Sequence, residues 1–204
     1  MILIFEGADK VGKSTLARHY ANRWQCGIVK TQWELGDPEF ETKAFANLTH
    51  AMLGAITSHA VFDRSYLSYW AYAPALGCDP AFMPDLIARF RSRTPARLVL
   101  CTADAAELRR RYTADPDLYF SLEVVLAANE RFPSLLEHVP PSLPALHLDT
   151  TSTRAKGAIA QVDEFLARST AEPQPGVELP RVLPGPNGLA NGHVATVGRR
   201  ASAS

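Results

Sequence analysis

Residues 7–14 read Gly-Ala-Asp-Lys-Val-Gly-Lys-Ser and fit G-x-x-x-x-G-K-[ST], a pattern whose chemistry is the holding of phosphate groups. Gly7 and Gly12 let the backbone bend without a Cβ in the way. Backbone N–H groups of such a loop, and of the helix that follows it, converge on one anionic group. Lys13 is placed to bridge the outer phosphates of a nucleotide, and the Ser14 hydroxyl to take a place on Mg²⁺. A second constellation is Val61-Phe62-Asp63-Arg64, an apolar strand that ends in an acid and an arginine. The acid can hold Mg²⁺ directly or through water, and the arginine can grip a second phosphate with its planar fork. A strand end with a surface ion pair is the ordinary alternative, and the phosphate loop upstream favours chemistry over it.

These residues need rigid elements behind them. Ile2–Phe5 is apolar and β-rich, and the residues after Ser14 carry helical spacing, so the loop lies between a strand and a helix. Further strands are expected at Gly27–Lys30, Ala60–Phe62, Leu98–Cys101 and Ala145–Leu148. Helices are expected at Lys13–Trp24, Glu39–Ser58, Ser65–Ala75, Met83–Arg93, Ala105–Tyr112, Leu118–Glu137 and Thr153–Arg168. Strands alternating with helices imply a parallel sheet covered on both faces, with ligands beyond the carboxyl ends of the strands. The phosphate loop and Asp63 both fall there. Residues 1–170 form one domain in this reading. From Ala171 the composition turns to Pro, Gly, Ala and Ser without periodicity and reads as a disordered tail to Ser204.

The chain has 204 residues, enough for one full core, and its formal net charge is zero. No global field therefore draws it to nucleic acid or to an anionic membrane. No apolar run approaches the roughly 18 residues of a membrane span, and the N-terminus leads straight into a strand without a signal-peptide pattern. Cys26, Cys78 and Cys101 are widely spaced and show no metal-binding pattern, which suits reduced thiols in a cytoplasmic protein. Trp33 and Trp70 flank the expected cleft and have two readings, stacking on a base or apolar packing.

Phe5-Glu6-Gly7-Ala8-Asp9-Lys10-Val11-Gly12-Lys13-Ser14-Thr15 resembles the opening of thymidylate kinases, F-E-G-x-D-x-x-G-K-[ST]-T. Asp63-Arg64-Ser65-Tyr66-Leu67-Ser68-Tyr69-Trp70-Ala71-Tyr72 resembles their second signature, D-R-x-x-x-S-x-x-A-[YF]. A weaker likeness runs from Leu98 to Arg111, and the resemblance covers about residues 1–168. It implies a P-loop kinase fold, α/β, with a five-stranded parallel sheet, helices on both faces and a short lid. It also implies ATP- and Mg²⁺-dependent phosphoryl transfer to a deoxynucleoside monophosphate, dTMP or a related pyrimidine nucleotide, as in nucleotide biosynthesis. Gly7, Gly12, Lys13, Ser14 and Thr15 would hold the phosphates and Mg²⁺ of ATP, with Arg110 over the adenine or phosphates. Asp9 would lie near the acceptor's sugar hydroxyl and phosphate, and Lys10 near the transferred group. Asp63 would organise Mg²⁺, Arg64 would hold the acceptor's phosphate, and Ser68 and Tyr72 would face its base and sugar. The resemblance suggests a homodimer.

Where these kinases carry T-R-E-P-G, this chain has Lys30-Thr31-Gln32-Trp33-Glu34-Leu35-Gly36-Asp37-Pro38, without the arginine; Lys30 substitutes for it or nothing does. The interval 39–60 holds no arginine to read a base, though Phe45 offers an aromatic face, and Tyr112–Asp117 is a brief lid. Two alternatives stay open. A P-loop kinase of a nucleoside, a modified DNA base or another small hydroxyl would need Asp63 or Asp9 as base. A non-catalytic nucleotide-binding switch would need no acceptor-side charge.

Overall fold

The computed structural model describes residues 1–30, 38–117 and 119–171, with backbone alone for 38–45 and 169–171. From the N-terminus the strands are β1 (Ile2–Glu6), β2 (Ile28–Lys30), β3 (Ala60–Asp63), β4 (Ala96–Thr102) and β5 (Ala145–Asp149). The helices are α1 (Lys13–Trp24), α2 (Pro38–Ala55), α3 (Ser68–Ala75), α4 (Met83–Ala88), α5 (Ala105–Ala114), α6 (Leu122–Arg131) and α7 (Ala155–Ala171), with a 3-10 segment at Phe132–Glu137. The strands pair in parallel in the order β2-β3-β1-β4-β5.

Every residue of the inner strands β1, β3 and β4 is buried, as a sheet covered on both faces requires. The edge strands β2 and β5 keep exposed positions. One helical layer contains α1, packed on β1 and β3 and touching α7. A second group is formed by α3, α6 and the 3-10 segment, which also meets β4. Phe5, Tyr20, Phe62, Tyr66 and Phe132 are fully buried between these layers, each contributing about 1.5–3 kcal/mol by leaving water. The chain leaves β1 toward β2 and β3 on one side and later places β4 on the other. The end of β1 is therefore a switch point, with open space above it.

All five strands lie within two residues of the positions expected from the sequence. Four helices are shorter than expected: α2 ends at Ala55 rather than Ser58, and three others are shortened more, each for a local reason. The helix expected from Ser65 starts at Ser68, because Arg64 has a φ of 77° and the Ser65 N–H and hydroxyl both donate to Glu6. The stretch expected as one helix to Glu137 starts at Leu122, where the Ser121 hydroxyl caps it, and tightens to 3-10 at Pro133, which cannot donate to the helical ladder. The helix expected to reach Arg93 stops at Ala88, and the chain turns onto α2, where the Ser92 hydroxyl donates to the Leu53 carbonyl. No described helix is long and apolar enough to cross a membrane. Ala171, expected to open the tail, is the last residue of α7; the rest of that tail, Trp33 with the rest of 31–37, and the Phe45 side chain fall outside what is described.

Candidate active site

The loop between β1 and α1 is shaped by its two glycines. Gly7 has a φ of 140°, and a Cβ there would lie 2.2 Å from the Cys101 carbonyl oxygen of β4. Any side chain at this position forces β1 and β4 apart. Gly12, with a φ of 92°, is the N-cap of α1 and supplies no side-chain cap. The N-termini of α5 and α6 are closed differently: Asp104 accepts from the Glu107 N–H and Ser121 from the Val124 N–H. The Lys13 and Ser14 N–H groups therefore have no side-chain cap at the positive end of the helix dipole, while the Thr15 N–H donates to the Gly12 carbonyl at 3.1 Å. Beside them the Lys13 ammonium, almost wholly buried, donates to the Ala8 carbonyl at 3.1 Å and lies 3.5 Å from Asp9 Oδ1. Burial, and next the charge of Arg64, lower its pKa to about 8, although Asp9, Asp63 and Glu6 pull the other way. Ser14 is half-buried and Thr15 exposed at the same helix start.

Three acids surround this loop. Glu6, fully buried at the end of β1, accepts from the Ser65 N–H and hydroxyl at 2.6 Å each and from the Ser68 hydroxyl at 2.5 Å. Burial pushes its carboxyl above the usual range, against those hydrogen bonds and Arg64. Asp9 Oδ1 takes a hydrogen bond from Arg64 Nη2 at 2.5 Å, and Oδ2 takes one from the Tyr72 hydroxyl at 2.6 Å. Burial alone would raise Asp9, but Arg64 and Lys13, then Tyr72, reverse this and hold it well below the carboxylate range. Asp63, at the end of β3, is 4 % exposed, and its Oδ1 has no hydrogen-bond partner. That orphaned hard oxygen and the Ser14 hydroxyl fit Mg²⁺, which takes one or two protein oxygens and fills the rest with substrate phosphate and water.

Arg64 ties these groups together. Its Nη1 donates to the Gly7 carbonyl at 3.0 Å and to the Ser68 hydroxyl at 3.2 Å. Its Nη2 donates to Asp9 and, at 3.0 Å, to the Tyr72 hydroxyl, and its guanidinium stacks 4.9 Å from the Tyr72 ring. Arg64, Ser68 and Tyr72 are all buried, so the residues expected to face the acceptor form a brace behind the loop.

Two adjoining cavities open on the loop. The larger, about 490 Å³, is lined by Asp9, Gly12, Ser14, Thr15 and five cations, Lys10, Lys13, Lys30, Arg110 and Arg111. Lys10 is ion-paired at 2.9 Å with Asp115, just beyond α5, and Arg110 pairs with Glu107 on the exposed face of α5. The smaller cavity, about 220 Å³, lies between the loop, α1 and the start of α7 and has an apolar side at Val11, Leu16 and Ala158. Arg111 borders both cavities, held by Glu107, the Lys10 carbonyl and Thr150.

The structure thus gathers Gly7, Asp9, Lys10, Gly12, Lys13, Ser14, Thr15, Asp63, Arg64, Ser68, Tyr72 and Arg110 around one loop. Glu6, within the opening motif, and Thr150 carry no role that the sequence pattern alone assigns. The signal for Thr150 was the polar run Asp149-Thr150-Thr151-Ser152 at the end of a strand. Its hydroxyl donates to Val11 O at 2.8 Å. Trp70 packs rather than lining the cleft, its indole N–H donating to Ser134 and its face covered by Arg131.

No protein-family model matches this chain, and no curated protein matches its sequence. Among solved structures, the YorR protein of Bacillus subtilis in complex with phosphorylated GDP is 19% identical, with a TM-score of 0.61 over 85% of this chain and 100% of that one. Thymidylate kinase from Candida albicans is 16% identical, with a TM-score of 0.61 over 83% and 92% of the two chains. Deoxyadenosine kinase from M. mycoides, with the products dCMP and dCDP, is 13% identical, with a TM-score of 0.60 over 82% and 100%. At these identities the likeness establishes the fold: this chain has the parallel α/β fold of these three structures.

Proposed function

We propose that this chain is a nucleotide kinase that moves the γ-phosphoryl group of ATP, with Mg²⁺, onto a deoxynucleoside monophosphate, dTMP or a related pyrimidine nucleotide, giving the diphosphate. The observation that carries this reading is the uncapped start of α1. Lys13 is buried beside it, and the unpaired Asp63 is near enough to act on Lys13 by charge. In the reaction the bond between the γ-phosphorus and the β,γ-bridging oxygen breaks and its electrons leave with ADP. A bond forms from the acceptor's phosphate oxygen to that phosphorus. That oxygen is already anionic at neutral pH, so no proton needs removal. The loop N–H groups and Lys13 hold the donor's outer phosphates and offset the charge of two anionic substrates. Ser14 and Asp63 would hold Mg²⁺, which would supply further charge neutralisation on the donor phosphates. The apolar side of the smaller cavity suits the donor's base, with Arg111 as its rim.

A kinase of a hydroxyl acceptor is the second reading, favoured by the unpaired Oδ1 of Asp63, an oxygen not committed to any hydrogen bond. Asp9 is unsuited to that work, since both its oxygens are engaged. The test is ADP release from ATP and Mg²⁺ with separate panels of deoxynucleoside monophosphates, nucleosides and short DNA. Release that depends on a pyrimidine monophosphate is the expected result. Release with nucleosides alone moves the assignment to the second reading. ATP binding without turnover in any panel overturns both and leaves a nucleotide-binding switch.

A further inference from the structure

The peptide carbonyls of the phosphate loop are fastened by two sets of residues. The early ones, Gly7 and Ala8, accept from Arg64 at 3.0 Å and from Lys13 at 3.1 Å. The later ones are held by residues at the far end of the domain. Arg111 Nη1, on α5, donates to the Lys10 carbonyl at 3.1 Å, and the Thr150 hydroxyl donates to the Val11 carbonyl at 2.8 Å. Thr150 is buried and directly follows β5. Its hydroxyl also lies 3.0 Å from the Thr102 carbonyl, but that oxygen already accepts the Thr150 N–H at 2.8 Å. The single hydroxyl proton therefore goes to the shorter contact, on Val11. The same hydroxyl accepts from Arg111 Nη1 at 3.1 Å, and the Thr150 carbonyl accepts from Nη2 at 2.6 Å. Arg111 Nε donates to Glu107 at 2.7 Å, so all three of its nitrogens are engaged by the protein. Arg111 is thus a fastening for Thr150 and the loop. A planar trans peptide points its C=O and N–H in opposite directions. Tying the Lys10 and Val11 carbonyls to Arg111 and Thr150 therefore turns the Val11 and Gly12 N–H groups away from those anchors. Among the described residues neither N–H has a protein acceptor, whereas the Asp9 N–H donates to the Tyr72 hydroxyl at 2.9 Å.

Resting on the phosphate-holding reading of this loop, we infer that Thr150 is a positioning residue for the donor's phosphates. Fastened by Arg111, its hydroxyl fixes the Val11–Gly12 peptide so that the Gly12 N–H, with the Val11 N–H beside it, is aimed at the anion before the anion arrives. Donors set in advance need no reorganisation as charge moves between phosphates. Without the anchor this peptide can rotate and turn its carbonyl oxygen toward the phosphate, which an anion disfavours. Thr150 carries no charge, so its removal takes away no Coulomb attraction for phosphate. That separates its role from those of Lys13 and the arginines.

The test compares the wild type with Thr150→Val, which keeps the shape and removes the hydroxyl, and Thr150→Ser, which restores it. Calorimetry reads the binding of ATP and of inorganic tripolyphosphate, a probe with phosphates and no base. In Thr150→Val the Kd of both is expected to rise roughly 10-fold, the effect of leaving one buried carbonyl unheld. Thr150→Ser is expected to stay within about twofold of the wild type. In amide nitrogen–proton spectra of the wild type, the Val11 and Gly12 signals should move when tripolyphosphate is added, a readout that needs no variant to fold. An unchanged Kd in Thr150→Val, or a loss that Thr150→Ser does not recover, overturns the positioning role. Val11 and Gly12 signals that stay in place while tripolyphosphate binds overturn it as well. A wild type that binds neither probe overturns the phosphate-holding reading of the loop and this inference together. Binding that weakens as expected in a protein without turnover sinks the kinase reading and keeps the role of Thr150.

Discussion

β1 and β3 lie side by side, and each ends on a buried carboxylate with opposite surroundings. Glu6 is closed off by three donors from the turn after β3, all of them neutral. Asp63, one strand over, keeps an oxygen that no group in the protein satisfies. A buried carboxylate oxygen without a partner costs stability, so a fold that pairs every oxygen of one acid and not of its neighbour marks the second as meant for something outside the chain. Glu6 sets the turn that carries Arg64 to Asp9, and Asp63 is the acid proposed above to meet the ligand. Asp9 stands between them: its partners are two cations and the Tyr72 hydroxyl, so it is a fixed negative charge rather than a proton acceptor.

The largest expected effect tests the Asp63 side of this contrast. Asp63→Asn keeps the shape and removes the charge, and ADP release is expected to fall about a thousandfold. The urea midpoint should hold or rise, because the unpaired oxygen makes no bond to lose and a neutral amide is cheaper to bury than a carboxylate. A variant that keeps wild-type turnover would show that the unpaired oxygen is a packing flaw and not a binding group.

Much of this site was legible in the chain. The glycines at 7 and 12, with Lys13 and Ser14 between a strand and a helix, announced an anion site, and Asp63 at a strand end announced a second oxygen. The fold class followed from the alternation of strands and helices. What stayed hidden depends on side-chain direction. Nothing in the spacing of Asp63-Arg64 says that the arginine turns inward, since this follows from its positive φ and from the partners waiting at Gly7, Asp9 and Tyr72. Glu6 was invisible as a brace because its partners lie 59 and 62 residues away in sequence. The roles of Lys10 and Arg110 likewise depend on the pairs they make with Asp115 and Glu107.

A smaller effect comes from Asp9 acting on Lys13. Burial, then Arg64, holds the Lys13 pKa at about 8, and Asp9 is one of the acids that keep it from falling further. The protonated ammonium is the form that binds phosphate. The kcat/KM for ATP should therefore be level at lower pH and decline as Lys13 loses its proton above about pH 8. Asp9→Asn removes an anion 3.5 Å away, so the alkaline decline should move to lower pH. If the decline stays in place, Asp9 serves Arg64 and Tyr72 alone, and its influence on the phosphate-binding lysine must be withdrawn.

The smallest effect sharpens the Glu6 side and is read in stability. Burial raises the Glu6 carboxyl above its ordinary 4.5, more than its hydrogen bonds and Arg64 pull it back. The folded protein therefore keeps this proton to a higher pH than the unfolded chain. Its stabilising contribution is complete below that ordinary value and is lost as pH rises through the folded one. Asp9 works in the reverse sense: its carboxyl is held low, so its contribution is present above the ordinary 3.8 and is lost as pH falls below it. Glu6→Gln, neutral at every pH, should remove the first slope and leave the second. Urea midpoints at about pH 5 and pH 8 decide it: wild type should lose stability across that interval relative to Glu6→Gln, while both share the same acid limb below the Asp9 range. A gap between the two proteins that is equal at both pH values would mean that Glu6 is held ionised by Arg64 and its three donors. The two strand ends would then differ in their partners but not in their charge.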